Sequence, residues 1–409
     1  MELGWVEDFE NIHAVLFVPS LGSNGMEALA GIFSGAVNPS GKTVDTYVRD
    51  LTSTPTFQNS GNSGNHIYTN TADLQKMLAR EDKTYQGVVS FVDYVEGVYM
   101  GYKYYETASD DGVIDYYSEV QYPFGYGLSY TTFTQTLDSL NVDLEAGTVT
   151  AQVTVTNTGA VAGKDVVQLY VSVPYTDYDK QNGIEKAAIQ LLDYEKTGVL
   201  EPGASQTVTI TADAQYMASW DSGSDNAAGT KGCYILDAGD YRFSIGNAHE
   251  AVNNILAAQG KTAADGMTAE GNAANVKTWN LGALDNTTFA RTKNGTAVEN
   301  QLQDADLNHY MPGTVTYLSR SDWEGTFPTH LQLTAPPQLI DDLDTEATYL
   351  RENPGDEAPV MGRNTGIQLI TLRGAEFEDS QWETFLDQMT AQEMFELVQL
   401  GGWRTMEPP

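Results

Sequence analysis

The sequence has a single cysteine and few basic residues, and each shortage excludes a class of protein. Cys233 stands alone among 409 residues, so neither an internal disulfide nor a multi-cysteine metal site is available. The 21 lysines and arginines face 56 aspartates and glutamates, which gives a net charge of −35. So negative a surface repels phosphate groups, and we therefore expect no nucleic-acid partner and no docking on anionic membranes.

Metal-ligand spacing and long apolar runs are missing as well. The five histidines are scattered and show no HExxH or comparable pattern, so we expect no metal and no cofactor. No apolar run is long enough for a membrane span, and acidic residues occupy the start, where a secretory signal needs basic ones. Together these features favour a soluble, cytoplasmic protein.

One α/β unit is visible near the start of the chain. Residues 14–18 form a short apolar run, predicted to be a strand buried on both faces. Apolar residues then recur at helical spacing in MEALAGIF, residues 26–33, before a turn rich in glycine and proline. A parallel sheet needs several such units, so the chain is predicted to open partway through an α/β domain.

From Leu137 onward the pattern is that of β-strands. Apolar and polar residues alternate in TVTAQVTVTNTG, DVVQLYVSV, SQTVTITA and DYRFSIG, and turn residues separate these stretches. Short strands at this spacing predict an immunoglobulin-like β-sandwich that ends near Ala257. Residues 258–312 have weak periodicity and are predicted to be a linker or a long loop.

The last part of the chain has helical periodicity. Trp382, Phe385 and Met389 fall on one face of a predicted helix. Thr390 and Glu393 have the spacing of a capping box, which predicts the start of a second helix before a further apolar run.

Short motifs that are typical of catalytic or binding sites are present only in imperfect form. SGAVNPSGKT resembles a P-loop, but Ala36 replaces the required glycine and Pro39 removes a phosphate-binding N–H group. SDDGVID, residues 109–115, lacks the ligand spacing of a calcium loop and is predicted to be a solvated turn. No GxSxG elbow is present.

Aromatic residues interleave with glycine in two runs, YVEGVYMGYKYYET and VQYPFGYGLSYTTF. Such runs are typical of a rim that contacts a flat ligand, but they also occur where aromatic rings pack between domains. A third candidate for a functional site is Asp322 in SRSDWEG, which follows a short stretch of alternating residues. The nucleophilic aspartate of a glycosidase with a barrel fold likewise follows a strand of the barrel.

Three long stretches, in order, resemble glycoside hydrolase family 3. EALAGIFSGAVNPSGKTVDTY and the two aromatic runs resemble the end of that family's α/β-sandwich domain. LLDYEKTGVLEPGASQTVTI and LDAGDYRFSIG resemble its fibronectin type III-like domain, and FLDQMTAQEMFELVQLGGW resembles the start of its catalytic (β/α) barrel. The resemblance implies a permuted order, with the barrel last.

The resemblance also implies where the catalytic carboxylates lie. The family's nucleophilic aspartate follows the opening helix of the barrel, whereas Asp322 precedes the barrel-like segment, so we predict a turn or domain-docking role for Asp322. We expect neighbouring Arg320 to pair with an exposed acid on that turn. The family's acid/base glutamate would lie before Met1, so no catalytic residue and no metal ligand is assigned in this chain, and the substrate-binding residues stay open.

The predicted fold class is therefore α/β plus all-β, in four segments. They are the later part of an α/β-sandwich domain (1–136), a fibronectin type III-like β-sandwich (137–257), a linker or connector (258–330) and the start of a truncated (β/α) barrel (331–409). The predicted role is that of a scaffolding portion of a retaining β-glycosidase, most simply a β-glucosidase acting on terminal non-reducing β-D-glucosyl residues. The isolated chain is expected to be inactive.

Two further possibilities stay open at this point. The alternative function is a non-catalytic carbohydrate-binding or adhesion module built on the β-sandwich. The expected partners are a small carbohydrate in the parent enzyme and either a separate barrel domain or further copies of the chain.

Overall fold

The structure is a computed structural model, and it describes residues 3–18, 25–59, 64–78, 88–344 and 361–400. The chain divides into two compact units, Met1–Asp344 and Thr345–Pro409. The first unit contains the β-sandwich together with the residues that precede it and those that follow it.

The residues before the sandwich form short helices and very short strands. In chain order these are α1 (Gly25–Phe33), β1 (Tyr47–Val48), α2 (Pro55–Gln58), β2 (Ile67–Tyr68), α3 (Thr71–Leu78), α4 (Tyr102–Asp110), α5 (Tyr116–Glu119) and β3 (Val120–Tyr122). Strands β1 and β3 pair antiparallel. The predicted helix at 26–33 is confirmed by α1.

The strand predicted at residues 14–18 is wrong. These residues are not in a strand, and the side chains of Val15 and Phe17 are about half exposed. A buried strand of a parallel sheet needs a neighbour on each side, and no strand among the described residues pairs with this segment.

The sandwich consists of two antiparallel sheets that face each other. Its strands are β4 (Phe133–Asp143), β5 (Thr148–Asn157), β6 (Val166–Ser172), β7 (Gln190–Lys196), β8 (Ser205–Asp213), β9 (Ser219–Asp225), β10 (Lys231–Ile235), β11 (Gly239–Ile245) and β12 (Val276–Leu281), with helices α6 (Asp177–Asn182) and α7 (Ala248–Ala258). One sheet has the order β4-β5-β8 and the other β12-β11-β6-β7, while β9 and β10 form a separate hairpin.

Alternation along the strands builds the sandwich core. In β5 every second residue from Val149 to Val155 is fully buried, and the intervening threonines and Gln152 face outward. The core joins side chains of both sheets, including Leu137, Val153, Leu169, Val208, Ile210, Tyr241 and Phe243. The four strands predicted from alternation are confirmed by β5, β6, β8 and β11.

Part of the predicted linker belongs to the sandwich. Residues 276–281 form β12, which pairs with β11 from Ser244↔Val276 to Gly239↔Leu281 and makes an edge of the larger sheet. This differs from the linker predicted over 258–330. The strand is polar on its exposed side, so its alternation is weak when the sequence is examined without its neighbour.

The chain then returns to the residues before the sandwich. Helix α8 (Leu307–Tyr310), helix α9 (Trp323–Thr326), strand β13 (Gln332–Leu333) and helix α10 (Pro337–Asp344) follow in order. Strand β13 pairs in parallel with β2, and Leu333, Ala335 and Leu339 share a buried cluster with Tyr68, Leu74 and Phe91. Residues 331–344 therefore pack within the first unit, which differs from the barrel boundary predicted at residue 331.

The second unit contains helices α11 (Gln381–Leu386) and α12 (Ala391–Leu400). The predicted capping box is present, because Thr390 N–H and Oγ1–H donate to the Glu393 carboxylate at 2.7 and 2.9 Å and Glu393 N–H donates to Thr390 Oγ1 at 3.2 Å. The sequence predicts that Gly401 and Gly402 end this second helix, and these two residues lie outside the described part of the chain.

Candidate functional site at the junction of Glu185 and Arg320

Asp322, the candidate nucleophile, is the N-cap of a short helix. Its carboxylate accepts a hydrogen bond from Gly325 N–H at 3.0 Å, and its carbonyl oxygen accepts one from Thr326 N–H at 3.1 Å. The side chain is exposed at the start of α9. Satisfying the free N–H groups of a first helical turn is the ordinary task of aspartate at this position.

The residue after it anchors this turn to helix α4. The Trp323 ring lies 4.8 Å from that of Tyr99 and 5.8 Å from that of Tyr104, centroid to centroid. Its indole N–H donates to Asp111 at 3.0 Å. Trp323 is buried, so the SDW sequence fixes the connector to the residues before the sandwich.

Arg320 binds a different acid from the one that we expected. Its guanidinium donates to both carboxylate oxygens of Asp111, at 2.7 and 2.8 Å, and to Asp110 at 3.3 Å. Its outer face lies 4.9 Å from the ring centroid of Tyr175 in the sandwich. Asp110 and Asp111 belong to the stretch predicted to be a solvated turn. Residues 111–113 do form an exposed turn, and the two acids additionally pair with Arg320.

Glu185 lies at the meeting point of three segments. Its carboxylate accepts hydrogen bonds from Tyr99 O–H at 2.5 Å, Ser319 O–H at 2.6 Å and Arg320 N–H at 2.9 Å. Glu185 belongs to a sandwich loop, Tyr99 precedes α4, and Ser319 and Arg320 belong to the connector. Hydrogen bonds to an ionised acceptor are stronger than neutral ones, so this carboxylate joins all three segments.

A buried lysine holds the same sandwich loop in place. Lys186 Nζ lies 2.7 Å from Asp179, bonds to Asp237 and donates to the Pro174 carbonyl at 3.1 Å. All three charged side chains are almost fully buried, and burial raises the pKa of Asp237 despite the neighbouring ammonium group. Breaking such a cluster by removing one member leaves an unpaired buried charge, which is costly.

A second buried network joins α4 to α7. Glu106 accepts hydrogen bonds from Tyr116 O–H at 2.7 Å and from His249 Nδ1 at 2.8 Å, and the Tyr116 and His249 rings stack at 3.6 Å. Asn253 Nδ2 donates to the His249 carbonyl and approaches Nε2 at 3.3 Å. Because an amide N–H can only donate, Nε2 accepts, which assigns the ring proton to Nδ1 and its donation to Glu106.

The aromatic runs mainly provide packing. Tyr99, Tyr104 and Tyr105 are buried, and the Tyr102 hydroxyl oxygen accepts a hydrogen bond from Leu191 N–H at 2.9 Å. Burial raises the pKa of Tyr102 and of Tyr104 to about 12. Of the second run, Tyr130 stays half exposed.

The P-loop look-alike also has a structural role. Lys42 Nζ donates to the Gly127 carbonyl at 2.9 Å and lies 3.3 Å from the Asp165 carboxylate of the sandwich. Among the described residues, no group of three histidine, cysteine, aspartate or glutamate side chains is arranged to hold a metal ion. No helix in the described part of the chain is long and apolar enough to cross a membrane.

Sequence reasoning missed both buried networks. Glu106, Glu185, Asp179 and Asp237 are four acids among 56, and their partners lie in distant segments. The one usable signal was the SDW stretch, which identified a segment that docks.

Comparisons with known proteins support part of these predictions. Residues 165–249 match a family model described as a fibronectin type III-like domain. The chain is 36% identical to β-glucosidase A of Butyrivibrio fibrisolvens over 258 residues, which are 60% of this chain and 26% of that protein. It is 31% identical to a β-glucosidase of Ruminococcus albus over 247 residues, which are 60% of this chain and 21% of that protein.

Two solved structures extend the comparison. A β-glucosidase from Paenibacillus barengoltzii is 28% identical to this chain. The match covers 67% of this chain and 26% of that one, with a TM-score of 0.43. A family 3 (GH3) β-glucosidase from Bifidobacterium adolescentis is 26% identical to this chain. The match covers 64% of this chain and 28% of that one, with a TM-score of 0.41. Both TM-scores lie below 0.5, so kinship is inferred from the sequence identities.

The chain thus spans about a quarter of the length of the curated relatives that it matches. Over the part that these comparisons cover, the chain is similar to β-glucosidases, and it contains a stretch that matches a fibronectin type III-like domain.

Proposed function

We propose that this chain is a non-catalytic portion of a retaining family 3 β-glycosidase, in a permuted domain order with the barrel last. The whole enzyme would be a β-glucosidase that hydrolyses terminal non-reducing β-D-glucosyl residues without a metal or cofactor. The observation that carries the proposal is the 36% identity to a β-glucosidase over 60% of this chain but only 26% of that relative.

The chemistry explains why we assign this chain a scaffolding role. Retaining hydrolysis needs two carboxyl groups about 5 to 5.5 Å apart, one to attack the anomeric carbon and one to protonate the leaving oxygen. Asp322 instead caps α9, and its neighbours Arg320 and Trp323 are committed to Asp111. We propose that both catalytic carboxylates are supplied by residues outside this chain.

The first experiment measures turnover of a chromogenic β-glucoside by the purified chain and by Asp322→Asn. We expect no turnover above background in either, and an unchanged thermal unfolding curve for the variant because asparagine also caps helices. Hydrolysis by the wild-type chain that Asp322→Asn abolishes would overturn the proposal.

A carbohydrate-binding module is the alternative, and the sandwich offers little support for it. Its rings Tyr170, Tyr241 and Phe243 are buried, so a sugar platform would have to be built from the exposed rings of Tyr178, Tyr194 and Tyr216. Calorimetric titration with cello-oligosaccharides separates the two functions, since a scaffold should give no heat of binding. A saturable heat would favour the module.

The partner of the whole enzyme is tested by co-expression. We propose that a barrel domain, supplied separately, associates with this chain and restores hydrolysis. Size-exclusion chromatography of the co-expressed pair distinguishes that association from assembly of the chain with further copies of itself.

A further inference from the structure

Asp93 is a buried acid on a segment that the connector covers. Residues 88–95 alternate in burial, with Val88, Val92 and Tyr94 exposed and Phe91, Asp93 and Val95 buried. On the buried side, one oxygen of the Asp93 carboxylate is inaccessible to solvent and has no hydrogen-bond partner among the described residues.

The connector supplies the cover. Leu318 N–H donates to the Val95 carbonyl at 2.7 Å, so residues 315–318 run beside this segment. Leu307, Tyr310 and Met311 pack on the cluster that contains Phe91. Asn308 fixes the two halves of the connector by exchanging hydrogen bonds with Val315, at 2.9 and 3.0 Å.

The connector carries a second acid, Asp306, directly before Leu307, which packs on the cluster that contains Phe91. Asp306 caps α8 by accepting from Asn308 N–H at 2.8 Å, and it accepts the Tyr317 hydroxyl. Among the described residues, the titratable groups that interact electrostatically with Asp93 are Tyr68 on β2 and Asp306 and Tyr317 on the connector, and none of these three carries a positive charge. When the connector is docked, an ionised Asp93 is desolvated and faces a like charge.

We propose that Asp93 and Asp306 form an acid-strengthened latch, which holds residues 302–320 on residues 88–95 more tightly when Asp93 carries a proton. This latch goes beyond the scaffolding role, because it makes the docking of the connector depend on pH. Its test does not depend on whether the whole enzyme is a β-glucosidase.

The direction and size of the effect follow from linkage. Burial, and then the charge of Asp306, raises the pKa of Asp93 to about 6 from its ordinary value of 3.8. The docked state therefore binds the proton more tightly than the open state, and docking weakens as the pH rises through this range. The ratio of docked to open connector should be about tenfold higher at pH 5 than at pH 8.

Hydrogen–deuterium exchange of the full chain measures this ratio. After correction for the intrinsic exchange rate, protection of the peptide that contains Leu318 should fall about tenfold from pH 5 to pH 8. A peptide from the centre of β5 serves as the internal reference and should not change, because no acid is buried there.

Three variants identify the acid that is responsible. Asp93→Asn should remove the pH dependence of protection. Asp306→Asn should leave a pH dependence that is smaller than the tenfold change of the wild type. Asp304→Asn is the matched control, since Asp304 lies on the same connector, is exposed and faces His309; it should behave like the wild type. If Asp93→Asn does not fold, the change in protection of the wild-type chain between pH 5 and pH 8 and the smaller change in Asp306→Asn still test the proposal.

Two outcomes would overturn the latch. One is a wild-type chain whose Leu318 peptide is equally protected at both pH values. The other is an Asp93→Asn or Asp306→Asn variant that keeps the full tenfold change.

Discussion

Phe243 in the sandwich and Phe33 at the end of α1 differ as far as two phenylalanines can: the first is 0% exposed and the second 73%. The same contrast holds for their surroundings. The sandwich core joins both sheets in one cluster, whereas α1 has no buried residue at all. Identical side chains therefore contribute very differently to the stability of one compact unit.

The difference teaches which part of the chain carries its own stability. Each strand of the two facing sheets has a neighbour in its own sheet and the other sheet to cover its apolar side. The residues before Tyr47 have apolar side chains in quantity, including Trp5, Phe9 and Phe17, but about half of each is exposed.

The largest effect should come from the core of the sandwich. Phe243→Ala should lower the free energy of unfolding by about 3 to 5 kcal/mol, because it removes apolar contacts and leaves a cavity. Phe33→Ala, the same change at an exposed site, should alter it by less than about 0.5 kcal/mol. Urea unfolding followed by circular dichroism compares the two, and equal losses would contradict the contrast.

An intermediate effect is expected where the two regions meet. Glu185→Ala removes the shared acceptor of Tyr99, Ser319 and Arg320 and should cost about 2 to 3 kcal/mol. The matched control is Glu201→Ala on an exposed sandwich turn, which should change stability by less than about 0.5 kcal/mol. If both variants unfold alike, Glu185 does not join the segments as we describe.

The smallest effect concerns the cap of α9. Asp322→Ala should cost about 1 kcal/mol, because the first helical turn loses its acceptor, while Asp322→Asn should be nearly neutral. Thermal unfolding of the two variants side by side makes the measurement. A loss in Asp322→Asn as large as that in Asp322→Ala would mean that the charge, and not the cap, is what matters.

Local sequence patterns predicted the strands of the sandwich well, because apolar and polar residues alternate within each strand. This alternation can be recognised without knowing which strands are its neighbours. The capping box of Thr390 and Glu393 was predictable for the same reason, since three residues suffice to define it. Strand β12 could not be predicted in this way, because its extended conformation depends more on pairing with β11 than on the pattern of its own residues.

The junction was out of reach for a different reason. Arg320 has an aspartate two residues away, yet it binds Asp111, which is 209 residues distant along the chain. A sequence so rich in acids offers many equivalent partners for an arginine. The packing of Trp323 against Tyr99 and Tyr104, together with the hydrogen bond from Arg320 N–H to Glu185, places Arg320 beside Asp111. The prediction that Asp322 is not a nucleophile did not need that partner, since it followed from the order of the segments.

The parallel pairing of β2 with β13 has a consequence for biosynthesis. Ile67 aligns with Gln332, so one strand leaves the ribosome long before the other. Closing so long a loop costs little more than closing a short one, but it cannot happen until the second strand exists. The sandwich lies wholly between the two strands in the sequence, and we therefore expect it to fold first during translation. The residues before the sandwich would then pack against it once β13 has been synthesised.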